Sequence, residues 1–96
     1  MTKEISDFSF TVSPQAAASF HDDGIVILHT GKGRLFSSNR TGAQIWCGLE
    51  QRLSMDVIAR ELSGSYQIPL ATAHEHAVHF LAQLQRHELV QRKVVS

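Results

Sequence analysis

Apolar and polar positions follow one period in the first part of the chain and another in the second, and the change falls near Asn39. Before Asn39 the pattern is that of strands. Phe8-Ser9-Phe10-Thr11-Val12 alternates, which predicts a strand with one buried face, closed by Ser13-Pro14. Gly24-Ile25-Val26-Ile27-Leu28 is a β-branched apolar run opened by the turn signal Asp22-Asp23-Gly24. Gly31-Lys32-Gly33 marks a second turn, and Arg34-Leu35-Phe36-Ser37 predicts a third short strand. The last two strands are most simply an antiparallel hairpin.

After Asn39 the period is helical. Asn39 suits an N-cap, because its side-chain oxygen can accept a backbone N–H of the first turn. Ala43, Ile45, Trp46 and Leu49 then predict a helix ending near Gln51. Ser54 predicts the cap of a second helix carrying Val57, Ile58 and Leu62, with Gly64 where a C-cap belongs. Beyond Pro69, Ala73, Ala77, Phe80, Leu81 and Leu84 form one buried stripe of a third helix. Leu89-Val90 packs back, and Val94-Val95 can add a short terminal strand. The fold expected is α+β and winged-helix-like: a small antiparallel sheet of about three strands, followed by a three-helix bundle.

Length and charge narrow this further. A chain of 96 residues suffices for one compact domain, expected over 1–96 with its core over about 8–91, and is too short for two. Nine basic residues balance nine acidic ones, so there is no net attraction to phosphate backbones or anionic membranes. A single cysteine, Cys47, forms no intrachain disulfide. Met1–Asp7 lacks the apolar run of a signal peptide, and no apolar stretch approaches the roughly twenty residues that span a bilayer. The chain reads as soluble and cytoplasmic.

The candidate chemistry is thin. His74-Glu75-His76-Ala77-Val78-His79 superficially resembles a zinc-protease motif, but four residues after His74 stands Val78 rather than histidine. His76 and His79 share a helical face without an evident third ligand, and His74 and His76 point about 200° apart on a helix. Cys47 lacks a cationic or helix-N-terminal setting to activate it. Asp22-Asp23 are turn residues before Gly24, and Gly31-Lys32-Gly33 is too short for a phosphate loop. No catalytic residue, metal site or cofactor is therefore assigned.

One physical feature points to binding. Three helices cannot cover both faces and both edges of such a sheet, so at least one edge strand keeps free backbone donors and acceptors. The short 34–37 strand, directly before a helix, is a candidate docking edge for an extended peptide, by strand addition. Free edges also permit strand exchange or an edge-to-edge homodimer.

The stretch from Gly33 to Trp46, with Arg34-Leu35-Phe36-Ser37-Ser38-Asn39 leading into Thr41-Gly42-Ala43, resembles the strand-to-helix junction of the PqqD-like family. Ser54–Leu62 with Tyr66, and Ala77–Leu84 followed by Leu89-Val90, are similar to its second and third helices, so the resemblance covers about residues 24–91. Two positions depart from it. Ser38 stands where the family usually has leucine, and Glu88 where glycine commonly follows the third helix, which makes a left-handed cap there less comfortable.

The resemblance implies a non-catalytic recognition element for the leader of a ribosomally synthesised, modified peptide. The leader would add as an antiparallel strand along Arg34, Leu35, Phe36 and Ser37. The third helix would form the opposite wall, with Phe80 and Leu84 at the bottom and either the His76/Gln83 or the Val78/Gln85 flank beside the peptide. The implied partners are the precursor peptide and a modifying enzyme, such as a radical-SAM enzyme or a leader peptidase. A winged-helix DNA-binding regulator is the alternative, and it would need a basic face. An interaction module in a polysaccharide-linked gene cluster is a third reading.

Overall fold

The computed structural model describes residues 8–94. Met1–Asp7 and Val95, on which two of the expectations above fall, lie outside them. The order of elements is β1 (Phe8–Val12), β2 (Ala16–His21), β3 (Gly24–His29), β4 (Arg34–Ser38), α1 (Arg40–Glu50), α2 (Met55–Tyr66), α3 (Leu70–Arg86) and β5 (Val90–Val94). The fold is α+β, but five strands make two antiparallel sheets. One is three-stranded in the order β2-β3-β4, and the other pairs β1 with β5.

The expected three-stranded sheet is thus present with a different membership. Phe8–Val12 leaves it to pair with Val90–Val94, and Ala16–His21, not expected as a strand, takes its place. β2 is joined to β3 by the two-residue turn Asp22-Asp23, with His21 facing Gly24. β3 and β4 form the expected hairpin, from His29 opposite Arg34 to Ile25 opposite Ser38. His29 is buried and ties down their loop, its Nδ1 accepting the Lys32 backbone N–H at 3.1 Å.

Ile25 and Ile27 of β3 meet Ile45, Trp46 and Leu49 of α1 in a core completed by Ile58 and Leu62 of α2 and by Ala73, Ala77, Phe80, Leu81 and Leu84 of α3. Both predicted N-caps form: Asn39 Oδ1 accepts the Gly42 N–H at 3.0 Å, and Ser54 Oγ accepts the Val57 N–H at 3.2 Å. Among the described residues no helix is long and apolar enough to cross a membrane.

The C-termini correct the reading of Gly64. α2 runs past it to Tyr66, and Gln67 adopts the left-handed conformation at φ 53°, ψ 48°. All three helices end in the same way, with a non-glycine left-handed residue: Arg52, Gln67 and Glu88. In each case the N–H of the residue after the left-handed one reaches back across the last turn: Leu53 to Gly48 O (3.0 Å), Ile68 to Ser63 O (3.3 Å) and Leu89 to Leu84 O (2.9 Å). Glu88 has a partner besides, Lys32 Nζ at 2.6 Å, whose ammonium group holds the Glu88 carboxyl below its usual value. Gln67 has no such partner among the ion pairs and side-chain hydrogen bonds of the described residues. Gln67→Gly is therefore expected to stabilise the protein by about 1 kcal/mol, the cost of a left-handed side-chain residue, as measured by denaturant unfolding.

Candidate functional site

The site is built on β4. β4 pairs with β3 on one side, and among the described residues no strand pairs with its other side. In an antiparallel strand alternate residues direct both their N–H and C=O groups to the same side, so half of these groups on β4 face outward. Side chains alternate as well. Phe36 and Ser38 are half-buried toward the helices, whereas Arg34, Leu35 and Ser37 are exposed.

Beside this edge lies a cleft of about 270 Å³ between the end of β4, the start of α1 and α3. Its apolar floor comes from Ile45 and Phe80, and its walls from Ser38, His76, His79 and Gln83. The Phe36 ring packs behind it, its centroid 5.9 Å from that of Phe80, which lines the cleft, and 4.9 Å from the His87 ring. Both distances lie in the range of favourable tilted aromatic contacts. Gly42 lets α1 approach closely: a Cβ there would overlap Ser38 Oγ and stand 2.8 Å from Phe80 Cε1.

Two anchors fix the β4–α1 junction against the rest of the fold. The Asn39 cap starts α1 immediately after β4. Arg40 Nε donates to the Asp22 carbonyl at 2.7 Å, tying the first residue of α1 to the β2–β3 turn.

The sequence-predicted residues divide accordingly. Phe80, His76 and Gln83 line the cleft, and Phe36 stands beside it. Arg34, Leu35 and Ser37 lie on the edge strand with their side chains exposed. Leu84 is fully buried and supports the floor from below rather than forming it. Val78 does not itself line the cleft: it lies on an adjoining shallow face of α3 with His74, Glu75 and Ala82, and that face shares His76 and His79 with the cleft. Gln85 lines a different depression, with Ser13 and Glu88. Ser38, Gly42, Ile45, His79 and His87 were not singled out from the sequence as site residues, although Ser38 stood out as a small residue in an apolar junction.

The arrangement offers backbone pairing and apolar contact rather than activated groups. Burial, and then the nearby Glu50 carboxylate, push the Cys47 thiol above its ordinary pKa, the opposite of what a nucleophile requires. Among the described residues no three potential metal ligands come together.

Two solved structures share this architecture. One is described as TbiB1 in complex with the TbiA(beta) leader peptide; it has a TM-score of 0.78 and 26% identity, over 84% of this chain and 94% of that one. The other, described as lasso peptide synthetase B1 complexed with the leader peptide, has a TM-score of 0.78 over 85% of this chain and 96% of that one. At 22% identity, this second likeness is one of fold alone. No curated protein matches the chain. Residues 24–90, which hold β3, β4 and all three helices, match the family described as coenzyme PQQ synthesis protein D (PqqD). The chain therefore belongs to the PqqD family.

Proposed function

We propose that this protein is a non-catalytic recognition element. It binds the leader of a ribosomally synthesised precursor peptide by strand addition to β4 and presents that peptide to a modifying enzyme. The observation that carries this reading is that the edge of β4, unpaired among the described residues, lies alongside a cleft floored by Phe80. Backbone pairing along Arg34–Ser37 sets the direction and register of the guest, while side chains entering the cleft give affinity and sequence choice. Phe36 and Phe80 supply the apolar contact, and His76 and Gln83 supply polar contacts at the rim. The structural neighbour at 26% identity, described as a complex with a leader peptide, supports the same reading.

The enzyme served is one that modifies or trims the precursor, such as a radical-SAM enzyme or a leader peptidase. The cytoplasm suits this step, since ribosomal precursors are made there and a lone cysteine stays reduced there. The DNA-binding alternative lacks a basic face: the middle of α3 exposes His74, Glu75, His76, Val78, His79 and Ala82, and its one arginine, Arg86, stands at the last position of the helix.

Titration calorimetry of the full chain with the leader of a precursor encoded beside its gene is expected to give a micromolar or tighter Kd, about −8 kcal/mol or more favourable. A leader N-methylated at the backbone positions facing β4 should lose most of that affinity, because its pairing donors are gone. No binding at tens of micromolar, or undiminished binding of the methylated peptide, would overturn the proposal.

A further inference from the structure

The three-stranded sheet has a second face, turned away from the helices. Ile25, Ile27 and His29 of β3 are buried, so the alternate residues Val26 and Leu28 point to this outer face, where they are only half-buried. Leu28 stands opposite Ala17 on one side and Leu35 on the other. Ala17, Leu28 and Leu35 thus form an unbroken apolar row across the sheet, and the row stops at the free edge. Its last member, Leu35, is 69% exposed, the most exposed of the large apolar side chains among the described residues. A single exposed leucine needs no explanation. One that ends a cross-strand row on an unpaired edge does, since the next position in that row belongs to whatever strand is added there.

We propose that the row continues into the bound peptide: the peptide residue directly opposite Leu35 is apolar, and it packs against Leu35 on the outer face. The inference rests on the strand-addition reading and sharpens it. Residues facing one another across an antiparallel pair have Cβ atoms about 4.5–5.5 Å apart and are the unit of sheet stabilisation. The residues on either side of this one point to the inner face of the sheet, opposite Arg34 and Phe36. The protein therefore reads three consecutive peptide positions on both faces of the new strand. The outer two face Arg34 and Phe36 on the inner side, and the central one, preferably β-branched or aromatic, covers Leu35. A polar central residue would leave Leu35 in water and lower affinity by up to about fivefold, the upper end for a cross-strand apolar pair.

The test is selection of an mRNA-displayed library of random dodecapeptides against the full chain, with Leu35→Lys run in parallel. The exposure of Leu35 allows the variant to fold, and its melting temperature verifies this. The wild type is expected to enrich an apolar residue at the central position. Leu35→Lys should enrich aspartate or glutamate at that same position, with the flanking preferences unchanged. If both pools keep the flanking preferences and the central position is the same in each, the continued row is overturned while strand addition stands. If the wild type selects no binders, or if its binders are retained equally by Phe36→Asp, strand addition falls and the row with it.

Discussion

Gly24→Ala should lower stability by about 3 kcal/mol and Tm by more than about 10 °C, the upper range for overpacking in a domain of this size. Gly24 opens β3 where the end of β4 crosses it. A Cβ at this position would overlap the Ser38 carbonyl oxygen and stand 2.9 Å from Asn39 Cα. Both obstacles are backbone, so no rotamer change relieves the collision. They also belong to the junction at which β4 becomes α1, and Asn39 there is the residue that caps the helix. Relief therefore means pulling β4 from β3 or displacing α1. Gly33→Ala provides the contrast. Gly33 has φ +65°, but nothing lies within 4 Å of a Cβ there, so backbone strain alone applies, at about 1–2 kcal/mol. Thermal melts followed by the fluorescence of Trp46, the only tryptophan and fully buried, measure both variants. A Gly24→Ala protein that melts with Gly33→Ala would contradict the close approach.

Phe36→Asp should weaken leader binding at least about 100-fold, a loss of about 2.7 kcal/mol, typical of a hot-spot aromatic. The Phe36 ring bridges Phe80 in the cleft and His87 beyond the end of α3. The substitution removes that bridge, and it puts a carboxylate where apolar guest side chains would otherwise be buried, which leaves the charge desolvated without a partner. Phe36 is half-buried, so the variant is compared with Phe36→Leu, which keeps the apolar volume and is expected to lose only about tenfold. Circular dichroism confirms that each remains folded, and calorimetry with the cognate leader reads the affinity. A folded Phe36→Asp protein that binds like the wild type removes Phe36 from the site.

The elements legible in the sequence were those whose own pattern matches their final environment. The stripe from Ala73 to Leu84 is buried as a stripe because a 17-residue helix needs one face against the core. Asn39 and Ser54 act as caps because capping is a local hydrogen bond. β2 was missed because Ala16-Ala17-Ala18-Ser19 contains no β-branched residue and has little strand preference of its own; it is a strand because β3 lies beside it. The end of α2 was missed for a similar reason. Glycine is the usual left-handed residue, yet the stop comes at Gln67, where the Ser63 hydroxyl donates to the Ile68 carbonyl at 2.6 Å and Ile68 packs on the core. At the site, the free edge and Phe80 could be foreseen from strand count and helical period. The contribution of Ser38, Gly42 and His87 could not, since it depends on how closely α1 and the end of α3 settle against β4.

β4 is only five residues long. At about 3.4 Å per residue, it can hold roughly 17 Å of extended chain. A leader longer than that is gripped at one short segment, and the remainder up to the modified residues is a flexible tether. Its length and stiffness then set the local concentration of the reactive segment at the enzyme, in the millimolar range for a short flexible tether. An enzyme docked to this protein would need little affinity of its own for the residues it modifies, and shortening or stiffening the tether would change turnover without changing any contact at β4.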